Sequence, residues 1–257
     1  MFTDSHCHLD FQCFKPDLST LLNDCHKVGV DSFLVPSTTQ ASWANVIELS
    51  NRYPQIRIAL GLHPYFLKDG LGEYRDELEL ALAHPAVVAV GEIGLDKWQG
   101  MPDYGLQQRI YYEQLCLAKG LGLPIILHAR KSEDDLLKVI RQLNFQHGGI
   151  VHAFNGSLQQ AKQFIDLGFV LGIGGTVTYP RAQKAQRVLA ALSDADFVLE
   201  TDSPDMPLYG YQGQRNTPEK VLLVAESVAK IRGQSLTQLA QNTRANLQRV
   251  LPNWHEV

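Results

Sequence analysis

Near its start the chain reads TDSHCHLD (3–10), with His6 and His8 on either side of Cys7. On a β-strand this alternation turns both imidazoles to one face and the thiol to the other. A lone His-x-His is more often ordinary packing or hydrogen bonding than a ligand pair. The same chemistry recurs downstream, however. His63 follows IRIALGL, Glu92 follows VVAVG, His128 follows PIIL, His152 follows GGIV and Asp202 follows FVLET. An imidazole or carboxylate at the same end of six different strands is hard to attribute to packing. Converging buried polar groups are costly unless they are paired or metallated. His6, His8, His128 and His152 with Glu92 and Asp202 suit zinc or another borderline divalent ion, with magnesium and manganese as further candidates. Six donors exceed the needs of one tetrahedral site, so two divalent metal ions sharing a carboxylate is the economical arrangement. His63 would be a seventh donor and is assigned to substrate contact. Parity also turns Asp4 and Glu200 inward, below His6 and Asp202, where they are expected to orient imidazoles or pair with a basic group. His26, His84, His147 and His255 fall in helical, loop or tail contexts and read as surface residues.

To converge, these residues must share one edge of a sheet. The β-rich runs are FTDSHCH (2–8), SFLVPS (32–37), IRIALGLHP (56–64), VVAVGEIGLD (87–96), LPIILHAR (123–130), GGIVHAF (148–154), GFVLGIGG (168–175) and DFVLETDSP (196–204). Helical signals lie between them. Ser157 and Gln160 form a capping box ahead of Ala161, Phe164 and Ile165, with a stop at Gly168. Thr217-Pro218 opens another helix, with Val221, Leu222, Val224, Ala225 and Val228 as its buried stripe and Gly233 beyond its end. Strand and helix in alternation imply an α/β fold with a parallel sheet. Eight such strands fit a closed (β/α)8 TIM-type barrel, whose functional groups lie at the C-terminal ends of the strands. A doubly wound open sheet is the competitor, but no Gly-x-Gly-x-x-Gly turn follows the first strand.

Composition narrows the class. At 45% hydrophobic and 19% charged residues, the 257-residue chain can bury a substantial core, and no linker-like stretch divides it. One barrel spanning 1–257 is expected. No run approaches the ~20 apolar residues that span a bilayer, and no signal-peptide pattern follows Met1, so a cytoplasmic location without membrane attachment is expected. Cys7, Cys13, Cys25 and Cys116 show no C-x-x-C spacing and read as reduced bystanders. A net charge of −4 argues against coating long nucleic acid through a basic face. It leaves room for an enzyme that grips a few phosphates locally.

Taken together, DSHCHLD, GLHP, GEIGLD, ILHAR, VHAFNGS, ETDSP and the TPE helix resemble the TatD family of metal-dependent hydrolases, within the amidohydrolase superfamily. The resemblance covers nearly the whole chain. GGTVTYPRA (174–182) and DMPLYGYQGQ (205–214) look like its YjjV branch. The resemblance implies a (β/α)8 barrel with a divalent-metal site, and several members of the family are deoxyribonucleases. It also implies that His6, His8 and Asp202 hold one metal, that His128 and His152 hold the second, and that Glu92 bridges them. HARKSEDD (128–135) after the fifth strand, and Asp205 where relatives commonly carry a tyrosine, depart from the family pattern on substrate-facing loops.

The expected reaction is hydrolysis of a phosphodiester by a metal-activated water, with Asp202 accepting a proton and Glu92 sharing in catalysis. The expected substrate is DNA, as single strands or ends. Arg130 and Arg181 are the expected substrate contacts, with Lys184 and Arg215 on neighbouring loops. Phe154, Tyr179, Tyr209 and Tyr211 are candidates for stacking on a base. No protein partner is inferred. The alternative is a small-molecule hydrolase acting on an amide, lactone or phosphoester.

Overall fold

The structure, a computed structural model, describes residues 1–67, 71 and 74–254; His255 lies outside the described residues. Strands β1 (Phe2–Asp4), β2 (Val30–Pro36), β3 (Ile56–Leu60), β4 (Val87–Asp96), β5 (Ile125–Arg130), β6 (Gly149–Val151), β7 (Phe169–Ile173) and β8 (Phe197–Leu199) lie in that order in one eight-stranded sheet. Each pairs in parallel with the next. Helices α1 (Leu18–Lys27), α2 (Trp43–Arg52), α3 (Tyr74–Leu82), α4 (Tyr104–Leu121), α5 (Glu133–Gln142), α6 (Leu158–Ile165), α7 (Gln183–Ala191), α8 (Val221–Arg232) and α9 (Leu236–Val250) alternate with the strands. The architecture is the (β/α)8 TIM barrel.

From β2 to β8 each strand carries buried apolar side chains on both faces, as a parallel sheet covered by helices requires. One row of side chains, including Phe33, Ile58, Leu127, Val151 and Leu171, packs against the helices. The other row comprises Leu34, Ala59, Val88, Ile126, Ile150, Val170 and Val198. It meets across the interior with Leu247 and Val250 of α9 and with Leu251 and Trp254. The end of α9 and the residues after it thus plug the N-terminal end of the barrel. Local signals behave as read. Ser157 and Gln160 form the capping box of α6, and Gly233 takes the left-handed conformation after α8, at φ 66°. Residues Pro218–Lys220 form a short 3-10 turn before α8 proper.

The sheet closes at its ends through the residues that follow β1 and β8. Ser5 N–H donates to Leu199 O (2.9 Å), Asp202 N–H to His6 O (2.9 Å) and His8 N–H to Ser203 O (2.7 Å).

Candidate metal centre and active site

Residues at the C-terminal rim deliver the polar groups. β1 stops at Asp4, so His6 and His8 lie beyond it and not at its end. Their segment is held by the seam bonds above, and by Cys7 N–H donating to Leu34 O (3.1 Å). The alternation persists: Cys7 is buried in the helix-facing core while His6 and His8 face the mouth. Glu92 was expected to end β4 and instead sits in its middle. The pairing with β5 slips between Val90 and Ile93, then resumes as Ile93–Leu127 through Asp96–Arg130. That continuation needs a glycine at 94, where φ is 151° and a Cβ would stand 2.0 Å from His128 O. His152 follows β6 directly, and Asp202 lies three residues beyond β8, at φ 56°.

Glu92 stands between two groups of histidines. Its Oε2 is 3.1 Å from His6 Nε2 and 3.7 Å from His8 Nε2. Its Oε1 is 2.9 Å from His128 Nδ1, 3.3 Å from His63 Nε2 and 3.9 Å from His152 Nε2. Asp202 faces the same centre, with Oδ1 3.5 Å from His8 Nε2 and Oδ2 3.7 Å from His152 Nε2. The rings of His6 and His152 stack with centroids 3.6 Å apart. Three sets of donors lie within 4.8 Å of one another: His6, His8 and Glu92; His6, His152 and Asp202; His63, Glu92 and His128. His128 falls in one set with His63, and its ring centroid is 6.1 Å from that of His152, with Glu92 Oε1 reaching all three.

Carboxylates behind the cluster fix two rings. His128 Nε2 lies 3.1 Å from Asp96 Oδ2, a partner that sequence reasoning missed. The spacing Glu92, Gly94, Asp96 on one face of a strand was the available signal. His152 Nδ1 lies 3.1 Å from Glu200 Oε1, an ion-pair contact whose angle falls short of a hydrogen bond. Glu200 Oε1 also accepts from Ala153 N–H (2.6 Å). Glycine at 172 makes room for it, since a Cβ there would be 2.1 Å from Glu200 Oε2. The expectation holds for Glu200 and needs correction for Asp4. Asp4 touches no imidazole; it accepts from Thr201 Oγ1 (2.6 Å), Thr201 N–H (2.9 Å) and His6 N–H (3.3 Å), tying β1 to the segment after β8.

Electrostatics follow from this crowding. Burial opposes ionisation of Glu92, but His63, His6 and His152 outweigh it and hold the carboxyl well below its usual range. Burial likewise opposes the charged Asp202, and His152 and the contact with His8 bring it down to about 2. Burial would lower His8, yet Asp202 and Glu92 raise it to about 9. His152 is raised to about 10 by Glu200, Asp202 and Glu92 against the same burial. Burial dominates at His63, which falls to about 4. Tyr65 N–H donates to His63 Nδ1 (3.0 Å), so the neutral ring carries its proton on Nε2 and offers a donor to the centre.

The donor set fits a divalent ion. Neither nitrogen of the fully buried His6 ring has a hydrogen-bond partner among the described residues, nor has His8 Nδ1. Buried polar atoms left this way cost free energy. Imidazole and carboxylate atoms aimed at common points are what a borderline divalent ion takes.

Two cavities open from this centre and share His128, His152, Asp202 and Arg130. One, of about 470 Å³, is lined by His8, His63, Phe11, Tyr65 and Phe66. The other, of about 700 Å³, is lined by Trp98, Lys131 and Lys184. Trp98 lies in the loop after β4, Tyr65 and Phe66 lie in a short 3-10 turn (Pro64–Phe66) after β3, and none of the three was singled out beforehand. Arg181 is not brought to either cavity; it lies over the Tyr179 ring at 5.6 Å. Arg215 is also drawn away, pairing with Asp17 (Nη2 to Oδ2, 2.5 Å) and donating to Cys13 O. Phe154 packs in the core beside Phe164, and Tyr209 packs on Tyr179. His26 and His147 are exposed and His84 is half-buried.

Comparison with known proteins gives the family of the chain. Residues 3–252 match the family model described as TatD related DNase. The chain is 43% identical over 242 residues to the uncharacterized metal-dependent hydrolase YjjV of Escherichia coli K12, covering 93% of each chain. It is 30% identical over 252 residues to the uncharacterized metal-dependent hydrolase YabD of Bacillus subtilis 168, covering 97% of this chain and 98% of the relative. The crystal structure of YjjV, a TatD homolog, superposes with a TM-score of 0.94 at 41% identity and 98% coverage of both chains. A hydrolase TatD family protein from Entamoeba histolytica shares the fold, with a TM-score of 0.86 at 22% identity and 97% coverage of both chains. The rim of histidines and carboxylates on this barrel is thus that of a metal-dependent hydrolase, and the chain belongs to the TatD family.

Proposed function

We propose that the protein is a metal-dependent phosphodiesterase that removes nucleotides from the ends or single-stranded parts of DNA. The observation that carries this reading is the two-sided opening at the centre. Aromatic rings (Phe11, Tyr65, Phe66) line one side, Lys131 and Lys184 line the other, and Arg130 borders both. Bases stack on aromatic faces and phosphates sit against cations, so a strand lying across the mouth meets both kinds of group. The family description, TatD related DNase, points the same way.

His6, His8 and Asp202 would hold one divalent ion, His128 and His152 a second, and Glu92 would be shared. Two such ions, zinc or else magnesium or manganese, supply Lewis acidity and an activated water. The chain does the rest. Asp202, held ionised, accepts the proton of the attacking water and returns it to the leaving oxygen. Asp96 and Glu200 keep the His128 and His152 rings aimed inward. The Nε2–H of His63 donates to a substrate oxygen, and Arg130 meets phosphate charge. The four cysteines are unpaired, in keeping with a reducing cytoplasmic setting, and no described helix is long and apolar enough to cross a membrane.

The test is degradation of end-labelled single-stranded DNA and RNA by metal-reconstituted protein, with Glu92→Gln as control. Stepwise loss of terminal nucleotides by the wild type alone is expected. Bound metal without cleavage of either strand would overturn the reading in favour of a small-molecule substrate.

A further inference from the structure

Among the described residues, Arg130 is the one arginine or lysine that lines both cavities. Its guanidinium carbon lies 3.9 Å from the centroid of the Trp98 ring, close enough for a cation–π stack. Trp98 is half exposed and anchored through its backbone, whose N–H donates to Asp96 Oδ1 (2.7 Å). Lys97 N–H donates to Arg130 O (3.0 Å), tying the two loops together. Among the described residues no carboxylate or carbonyl accepts a hydrogen bond from the Arg130 side chain. The ring therefore holds the plane of the guanidinium and leaves its N–H edges open. Lys131 Nζ, 5.3 Å from the same ring, adds charge on that side.

Position gives this stack its meaning. Arg130 follows His128 by two residues on β5, on the same face of the strand. Two strand residues advance roughly 6.6 Å, comparable with the step between successive phosphates of a single strand. A phosphodiester attacked beside His128 leaves its neighbouring phosphate within reach of Arg130. Planar bidentate recognition of phosphate is what a held guanidinium does best.

We propose that the Arg130–Trp98 stack is a clamp for the phosphate next to the scissile bond, with Trp98 as its positioning residue. This rests on the nucleic-acid reading above and narrows it: the preferred substrate carries a flanking phosphate, and an isolated phosphodiester is a poor one.

The experiment compares the dinucleotide TpT with pTpT and TpTp, using metal-reconstituted protein, and reads kcat and KM separately. Wild type is expected to favour one phosphorylated dinucleotide by about tenfold in kcat/KM, the size of one charge-assisted hydrogen bond. Arg130→Ala and Trp98→Ala should bring that ratio close to one, mainly through KM, while Trp98→Phe should restore most of it. Trp98 is exposed enough for its replacement to leave the fold intact. Equal wild-type cleavage of all three substrates would overturn the clamp and leave the phosphodiesterase standing. A preference that survives in both alanine variants would overturn it too. If wild type cleaved none of them, nor longer DNA, the parent reading would fall and the clamp with it.

Discussion

The two ends of the barrel interior are built from the same rows of side chains and have opposite characters. Toward the N-terminal end, Ile126, Ile150 and Val198 close on one another and on Leu247, Val250 and Trp254. Two residues further along the same faces, Ile126 gives way to His128, Ile150 to His152 and Val198 to Glu200. The apolar half makes the barrel rigid. The polar half collects groups that would be expensive to bury unless they served one another or an ion. Stability and chemistry are thus stacked along one axis, and they should separate under mutation.

The largest effect is expected at the mouth. Asp202→Asn should lower kcat by about 10²–10⁴-fold at saturating metal and also loosen the ion it shares with His6 and His8, as kinetics and metal titration would record. Near-normal turnover in that variant would remove Asp202 as the proton acceptor. At the opposite end, Leu247→Ala should cost about 2–5 kcal/mol in urea unfolding, with kcat per folded molecule within about twofold of wild type. A fall in kcat there would mean that the two halves are coupled after all. Between these extremes, Asp96→Asn and Glu200→Gln should each weaken metal affinity or activity about 10–100-fold. Metal titration would show whether the carboxylates behind the rings matter as their contacts imply.

The smallest effect concerns pH and has opposite signs for folding and metal binding. His8 is raised to about 9 and His152 to about 10, so both are charged in the metal-free protein at neutral pH. Their contribution to metal-free stability is complete below the ordinary histidine value near 6.5. It is lost as pH rises through 9 and then 10. A divalent ion must displace those protons, so its affinity should climb by up to about tenfold per pH unit for each proton released. Calorimetry in buffers of different ionisation enthalpy should detect about two protons leaving per chain near pH 7; finding none would contradict the charged state of these rings.

Much of this centre was legible beforehand because strand parity is a local property. Glu92, His128, His152 and Asp202 each follow an apolar run, His6 and His8 flank Cys7, and the barrel needs only strand alternation to aim them inward. Asp96 obeyed the same rule in GEIGLD and was passed over because Glu92 had been taken as the end of its strand. A register slip is set by the neighbouring strand, and its mark in the sequence here is the glycine at 94. Loop contacts were less accessible for a similar reason. Arg215 and Arg181 resembled Arg130 as cations near the rim, yet Arg215 is captured by Asp17 from a distant turn and Arg181 by Tyr179. Which aromatic ring meets which cation depends on backbone paths that no periodicity encodes. Trp98 acquires its place from the same pairing of β4 with β5 that moved Glu92 inward.

The seam between the two ends of the sheet bears on how the enzyme comes into being. His6 and His8 are synthesised first among the donors and Asp202 last, and they meet only when the segment after β8 bonds to Ser5, His6 and His8. A nascent or truncated chain can therefore hold most of the donors without being able to gather them. Assembly of the full donor set waits on this seam, and the hydrolytic centre is withheld until the barrel has closed.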